Sequence, residues 1–171
     1  MSTLVTSPKA VTMAASRADF DEFFEAFSRQ VAAIVALSTG DVGLAEDATQ
    51  EAMERAFVRW NRVSKLERPD LWVIRVAANI AIDAWRRRKR EVRLSDPRAG
   101  GEAVDEIRVL WLRWDMERLR PEDRLLLILR HRDGLSIDEI GAALSRSPHT
   151  ITSYLKRARR RLRSLLSEGD A

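Results

Sequence analysis

Apolar residues recur at intervals of three and four along most of this chain, which is the spacing that places side chains on one face of an α-helix. Long runs of β-branched residues are absent, and only seven Gly and five Pro interrupt the 171 residues. The pattern therefore predicts an all-α protein. The first predicted helix covers about 19–37, and its apolar positions are Phe20, Phe23, Phe27, Val31 and Ile34.

Six further stretches have helical periodicity. They are separated by residues that interrupt helices. Gly40 ends the first helix, Pro69 suits the first turn of the third, and Pro121 and Gly134 separate later ones. Ser16 and Asp19 resemble a cap ahead of the first helix. The six later helices are predicted at about 43–60, 69–90, 104–118, 122–132, 136–144 and 149–166.

The same periodicity predicts the buried sides of the second and third helices, with Asn61–Arg68 as a polar connector between them. The second helix is expected to bury Ala45, Ala48, Ala52, Met53, Ala56, Phe57 and Trp60. The third is expected to bury Val73, Val76, Ala77, Ile80 and Ala84.

A stretch rich in Gly, Pro and Ser divides the chain. Leu94–Glu102 contains Ser95, Pro97, Gly100 and Gly101, residues that resist a continuous helix. We therefore predict two small helical domains joined by a flexible linker that leaves them mobile. The predicted parts are a disordered leader at 1–18, a first domain at 19–91, a linker at 92–106 and a second domain at 107–171. Met1 and Met13 are both possible starts.

Charge is separated along the chain, although the net charge is only +4. Residues 41–54 contain five carboxylates and no Lys or Arg, whereas residues 145–163 contain seven Lys or Arg and no Asp or Glu. Chains that separate their charges in this way are suited to two different partners.

The basic stretch lies in a predicted helix-turn-helix. Ser136 and Glu139 have the spacing of a capping box, a short helix follows, and a tight turn at Ser145–Pro148 leads to a longer basic helix. Its apolar stripe is Ile151, Leu155, Ala158, Leu162 and Leu165. Two helices in this arrangement place the second in the DNA major groove. The alternative is a solvated charged face, but seven unpaired cations would repel one another.

Two more polar faces are candidate binding surfaces. The second helix has an acidic stripe without Lys, formed by Asp47, Gln50, Glu51 and Glu54. This stripe either binds a protein with a basic surface or is simply exposed to solvent. On the third helix, Arg75, Asn79, Asp83 and Arg86 share one face that suits nucleic acid. Trp60, Trp72 and Trp85 lie in the same unit and are either core residues or platforms for unpaired bases.

Several function classes are not supported by the residues present. The chain has no Cys, no apolar stretch of membrane-spanning length and no signal peptide, which predicts a cytoplasmic protein without disulfides. His131 and His149 are the only histidines, and no phosphate loop, catalytic carboxylate pair or metal-ligand spacing accompanies them. We expect no catalysis, no cofactor, no metal and no small-molecule substrate.

Three segments together resemble the extracytoplasmic-function branch of the sigma-70 family. Ala45–Glu51 resembles the region-two helix, and Trp72–Asp83 running into Arg86–Arg90 resembles the promoter-reading helix of the same region. Leu135–Leu144 with Ser147–Arg159 resembles region four. The resemblance covers about residues 19–166, with its motifs in the family's order.

The resemblance implies three binding sites and two macromolecular partners, core RNA polymerase and promoter DNA, with an anti-sigma protein as a common third. The polymerase site would comprise Asp47, Gln50, Glu51 and Glu54. The minus-ten site would comprise Lys65, Arg75, Asn79, Arg86 and Arg87, with Asn79 on a flipped-out base and Asn61–Arg68 forming its pocket. The minus-thirty-five site would comprise His149, Thr150, Thr152, Ser153, Tyr154, Lys156 and Arg157.

The chain departs from the family at Thr152 and Tyr154, where relatives usually carry Lys or Arg. A rival interpretation is a helix-turn-helix regulator that binds an operator as a dimer without polymerase. That interpretation accounts for residues 121–166 but gives no purpose to the acidic stripe or to the Asn79 face.

Overall fold

The computed structural model describes residues 8–95, here called the first unit, and residues 118–169, the second unit. Within these ranges the chain consists of helices and short turns, which confirms the all-α prediction. A π-helical turn at Ile128–Arg132 continues the fifth helix. The helices are α1 (Pro8–Thr39), α2 (Val42–Val58), α3 (Trp60–Val63), α4 (Pro69–Ser95), α5 (Pro121–Leu127), α6 (Ile137–Leu144) and α7 (Pro148–Gly169).

The first helix is longer than predicted. It begins at Pro8 rather than near residue 19, so residues 8–18 belong to α1 and not to a leader, and Ser16 and Asp19 lie inside the helix rather than capping it. Proline is tolerated in a first helical turn, and the alanines that follow favour helix. The helix ends as predicted, because Gly40 adopts φ +76° and donates its N–H to the Ala36 carbonyl at 2.8 Å.

The core of the first unit forms where α1, α2 and α4 pack together. The four alanines of α2 are at most 1% exposed, which lets the neighbouring helices approach closely. Trp60 is a core residue, because its ring lies 5.3 Å from that of Phe20 and 4.9 Å from that of Phe23. Phe57 was predicted to be buried but is 48% exposed, although its ring centroid lies 5.0 Å from that of Phe20.

Helix α4 buries a wider face than predicted. Val73 and Ala77 are buried as expected, whereas Val76, Ile80 and Ala84 are only half-buried. Leu71, Ile74, Ala78, Ala81 and Ile82 complete the buried face.

The second unit contains the predicted helix-turn-helix. The Ser136 hydroxyl accepts the N–H of Glu139 at 3.2 Å, and the Glu139 carboxylate accepts the N–H of Ser136 at 2.8 Å, which confirms the capping box. Ser145 ends α6 in the left-handed region at φ +53°. In α7, Ile151, Leu155 and Ala158 are buried, and the predicted stripe continues through the half-buried Leu162 and Leu165.

The two units are in contact with each other, whereas the sequence predicted units that move independently. Helices α1 and α4 of the first unit pack against α5 and α6 of the second. The buried Arg124 of α5 donates to the Thr39 carbonyl at the end of α1, with an N–O distance of 3.3 Å. The predicted linker overlaps the end of α4, and its remainder, like the helix predicted at 104–118, lies outside the described residues.

Across the described ranges, none of the helices combines the length and apolar character that crossing a bilayer requires.

Gly141 should be essential to the helix-turn-helix. A Cβ atom at this position would lie 2.8 Å from the Arg146 carbonyl oxygen, a contact that only movement of the turn could relieve. We expect Gly141→Ala to lower the free energy of unfolding by about 1–3 kcal/mol, as overpacking does elsewhere. Gly43→Ala is the matched control, because a Cβ there meets nothing closer than 3.7 Å and helix propensity favours alanine. Thermal unfolding that ranks the two variants in the opposite order would contradict this account.

Candidate nucleic-acid and protein interfaces

The predicted acidic stripe lies on the exposed side of α2. Because the alanine side of the helix is buried, its polar side must face outward. The Asp41 carboxylate starts the helix by accepting the N–H of Leu44 at 2.8 Å. Along the helix, the Gln50 amide donates to Glu54 at 3.2 Å. The stripe consists of Asp47, Gln50, Glu51 and Glu54, all exposed.

Arg55 partly compensates the negative charge of this stripe. The charge pattern of residues 41–54 did not reveal this ion pair. The Arg55 guanidinium lies 2.5 Å from the Glu51 carboxylate, one helical turn away. The segment 41–54, which contains five carboxylates and no Lys or Arg, ends one position before this arginine. Both side chains are about half exposed, and exposed pairs of this kind are weak. Glu51 therefore remains available to another cation.

An apolar groove adjoins the acidic stripe. It has a volume of about 770 Å³ between α1 and α2, and Gln50 and Glu54 line it. Its aromatic wall contains Phe24, 43% exposed, and Phe57, while Val58 beside it is 81% exposed. Exposed apolar patches of this kind mark protein-binding surfaces. The sequence pattern did not reveal the groove, because Phe57 fits the apolar stripe of α2.

The nucleic-acid face predicted on the third helix is present along α4. Asn79, Asp83 and Arg86 are exposed on it and Arg75 is half-buried. Arg75 donates to the Ser145 hydroxyl, and Arg86 donates to Glu122 of the second unit. The other two candidate minus-ten residues, Lys65 and Arg87, are exposed.

A cleft of about 850 Å³ lies between residues 59–75 of the first unit and α6, and Arg75 is the member of the α4 face that lines it. Four arginines of the first unit line it, Arg59, Arg62, Arg68 and Arg75, together with Trp72. The opposite wall is formed by Asp138, Glu139, Ala142 and Ala143.

Arg68 is the best-defined charge in the cleft. Its guanidinium forms two hydrogen bonds to the Asp70 carboxylate, at 3.0 and 2.7 Å, and a third to Glu139 at 2.8 Å. The Asp70 hydrogen bonds are the main cause that raises the pKa of Arg68. The hydrogen bonds from Ser136, with a smaller contribution from Arg68, lower the pKa of Glu139. Both groups are therefore held in their charged forms.

The tryptophans of the first unit have three different environments. Trp60 belongs to the core, and Trp72 is half-buried on the wall of the cleft. The ammonium group of Lys89 lies over the Trp85 ring, 4.7 Å from the ring centroid. Of the three, Trp72 and Trp85 have surface that an unpaired base could reach.

The exposed side of α7 carries the candidate minus-thirty-five residues. Two of its hydroxyl groups already have partners: Thr152 donates to the Pro148 carbonyl at 2.9 Å, and Thr150 lies 2.8 Å from the Ser147 hydroxyl. The Arg157 guanidinium lies 4.6 Å above the Tyr154 ring. His149, Ser153, Lys156 and Arg157 are exposed, and Thr150 and Tyr154 are partly so.

One arginine of the basic stretch does not belong to this surface. Arg161 binds the carboxylate of Asp123, which is 8% exposed. The prediction that these cations have no acidic partner is therefore wrong for Arg161. Its partner lies 38 residues away in sequence, so local spacing could not reveal it.

Two family models match the chain, one in each unit. Sigma-70 region 2 matches residues 23–91, and Sigma-70, region 4 matches residues 116–162. The first match contains the acidic stripe and the α4 face, and the second contains the helix-turn-helix.

Curated relatives agree with these matches. The chain is 33% identical over 130 residues to the RNA polymerase sigma-E factor of Streptomyces antibioticus, an alignment of 74% of this chain and 72% of that protein. It is 30% identical over 158 residues to the ECF RNA polymerase sigma factor SigM of Bacillus subtilis, and the alignment covers 87% of this chain and 96% of that protein.

A solved structure is similar in fold. The sigma factor RpoE of Bartonella quintana, crystallised in complex with the anti-sigma factor NepR, aligns with a TM-score of 0.63 and 22% identity. The alignment covers 87% of this chain and 97% of that one.

Arg160 and Arg161 are neighbours that should differ in role. Arg161→Gln leaves the buried Asp123 without its guanidinium and should lower the free energy of unfolding by about 1–3 kcal/mol. Arg160→Gln removes the same charge from an exposed position. It should leave stability unchanged. In a plot of the logarithm of the duplex-DNA binding constant against the logarithm of salt concentration, it should reduce the slope by about one unit. Equal thermal stabilities for the two variants would contradict the assignment of Arg161.

Proposed function

We infer that this chain, which belongs to the sigma-70 family and to its extracytoplasmic-function branch, is an alternative sigma factor that binds core RNA polymerase and directs it to promoters. The observation that carries this conclusion is the presence of both promoter-reading units of the family in one chain, in the family's order. The family comprises transcription initiation factors rather than enzymes.

We assign the acidic stripe of α2 and the adjoining groove to polymerase docking. The stripe offers three carboxylates and an amide to a basic surface, and the groove beside it offers apolar area that the fold leaves uncovered. Apolar area supplies affinity, while the charges steer the encounter and set its orientation. A basic helix with apolar residues on one side is the polymerase element that fits this surface.

The α4 face is assigned to the minus-ten element and α7 to the minus-thirty-five element. Asn79 is exposed between Arg75 and Arg86, and we assign its amide to a base and the two arginines to phosphates. Lys65 and Arg87 extend the same basic surface. On α7, Lys156 and Arg157 hold the helix on the backbone while Thr152, Ser153 and Tyr154 face the groove.

The dimeric-regulator interpretation accounts only for the second unit. It offers no role for the acidic stripe, for the groove or for Asn79.

An anti-sigma protein is the third partner that we propose, and the cytoplasm, where polymerase acts, is the proposed location.

Reversal of charge on the acidic stripe should weaken polymerase binding. The double change Gln50→Lys and Glu51→Lys places cations where a basic surface docks, and we expect core affinity to fall by at least about tenfold. Phe57→Gln should weaken binding several-fold by making the groove polar, with little effect on stability because the ring is half exposed. Competition for core polymerase against the unmodified chain measures both effects.

The matched control is Glu25→Lys with Gln30→Lys, which adds the same charge to exposed positions of α1. This variant should compete as well as the unmodified chain. If the α2 double variant also retains full affinity while remaining helical, the acidic stripe is solvent-exposed surface and the docking assignment is wrong.

Asn79 should act after polymerase binding, on an unpaired base. We expect Asn79→Ala to keep full core affinity and to reduce open-complex formation by a factor that corresponds to about 1–3 kcal/mol, the cost of losing a base contact. Permanganate footprinting of the holoenzyme on a promoter measures strand opening directly. Unchanged opening and unchanged minus-ten preference would remove Asn79 from the site.

A further inference from the structure

The acidic stripe of α2 is followed by exposed apolar residues at its C-terminal end. Its four members have the spacing i, i+3, i+4 and i+7, and the next position on the same side of the helix, i+10, is Phe57. Phe57 and Val58 line the apolar groove, and they are 48% and 81% exposed. A helix that fits this surface therefore has cations along one side and an apolar residue at the end of that side.

Helix α7 of this chain has that arrangement. Four cations, here called the basic stripe, repeat the spacing of the acidic stripe, and the i+10 position is Leu166. All four are exposed, and Leu166 is 38% exposed. The apolar residues that pack α7 into the second unit lie on another side of the helix, so the basic stripe is open to a second molecule. Its members are Lys156, Arg159, Arg160 and Arg163.

The two stripes match position by position when α2 and α7 lie side by side and parallel. The same number of residues separates Lys156 from Asp47, Arg163 from Glu54 and Leu166 from Phe57. Alternating intervals of three and four residues are those through which parallel helices contact each other. Opposite charges therefore meet along the stripes, and apolar side chains meet where the stripes end.

This pairing joins two molecules. Within one chain, α2 packs against α1, α3 and α4, whereas α7 packs against α5 and α6. We propose that α7 of a second copy docks on the acidic stripe and groove of α2, so that the free protein self-associates. Neither polymerase nor DNA takes part in this contact.

Self-association would occupy two of the proposed binding sites. The docked α7 covers the surface assigned to polymerase, and Lys156 belongs to the proposed minus-thirty-five site. This consequence, unlike the self-association itself, rests on the proposed function. Core polymerase and promoter DNA should each dissociate the self-associated protein.

The association should be weak and sensitive to salt, because exposed ion pairs contribute little individually and salt screens them. Sedimentation velocity measures this directly. At about 100 µM protein and about 50 mM salt, the average mass should exceed that of one chain, and at about 500 mM salt it should fall towards that of one chain. A chain that stays monomeric at the lower salt concentration would overturn the inference.

Reversal of charge on either stripe should abolish self-association. One variant carries Asp47→Lys with Glu54→Lys, and the other carries Lys156→Glu with Arg163→Glu. Glu51 is left unchanged, because it already pairs with Arg55. Each variant alone brings like charges together, and we expect its association constant to fall by at least about tenfold. An equimolar mixture restores opposite charges and should associate about as strongly as the unmodified chain.

The matched control is Glu22→Lys with Glu25→Lys, which makes the same change of net charge at exposed positions of α1 outside the groove. It should associate as the unmodified chain does. Circular dichroism establishes that every variant remains helical. If the stripe variants associate on their own, or if their mixture stays monomeric while the unmodified chain associates, the proposed contact is wrong.

A crosslink tests the parallel pairing independently of charge. The chain has no Cys, so Val58→Cys in one molecule and Ser167→Cys in another supply one thiol each, and the pairing places these exposed positions opposite each other. A short bismaleimide should join the two chains at low salt. Ser153→Cys is the control, since it is exposed on α7 but lies about 21 Å from position 167 along the helix. Equal crosslinking at 153 and 167, or crosslinking at neither, would overturn the pairing.

Binding of core polymerase separates this inference from the proposed function. Self-association is measured without polymerase, and core affinity is measured by competition. A chain that binds core but stays monomeric at low salt leaves the proposed function intact and overturns only the self-association. A chain that self-associates through the two stripes but does not bind core supports the self-association and contradicts the proposed function.

Discussion

A buried charge, the guanidinium of Arg124, lies where the two units meet. This side chain is 3% exposed and donates to the Thr39 carbonyl at the end of α1. The last carbonyls of a helix lack partners within it and carry partial negative charge, so the end of α1 suits a buried cation. Leaving a buried donor without a hydrogen-bond partner costs about 1–3 kcal/mol, and more when the donor is charged. This buried contact therefore resists displacement more than the exposed ion pairs of Arg68 with Glu139 and of Arg86 with Glu122.

Gly40 makes this arrangement possible. Its φ of +76° turns the chain sharply after α1, and a Cβ there would lie 3.4 Å from Arg124. Any other residue would be strained in this conformation and would crowd the guanidinium. The same turn leads to Asp41, whose carboxylate starts α2 and lies 2.5 Å from Arg88 of α4. The end of α1 thus determines both the start of the acidic helix and the position of the second unit.

Local chemistry explains what the sequence predicted, and non-local contacts explain what it missed. Gly40, Pro69 and the Ser136–Glu139 capping box act within a few residues. For most helix ends, the predicted position is therefore within a few residues of the observed one. Periodicity cannot detect contacts between residues 36 to 71 positions apart. These include the Arg161–Asp123 pair and the hydrogen bonds that Arg68, Arg75 and Arg86 donate to the second unit. Phe57 fits the apolar stripe of α2, but its exposure depends on how far α1 covers it.

If α7 reads the minus-thirty-five element, as we propose, its surface limits how this chain can distinguish promoters. At the two positions where the family resemblance predicts Lys or Arg, α7 presents Thr152 and Tyr154, and both side chains already have partners within the chain. The Thr152 hydroxyl donates to the Pro148 carbonyl, and the Arg157 guanidinium lies over the Tyr154 ring. Guanine is commonly selected by the paired donors of Arg or Lys, whereas a methyl group or a ring makes apolar contact with thymine. On a helix assigned to the minus-thirty-five element, these two positions therefore favour thymine contact and groove shape, and the surrounding cations supply affinity without sequence preference.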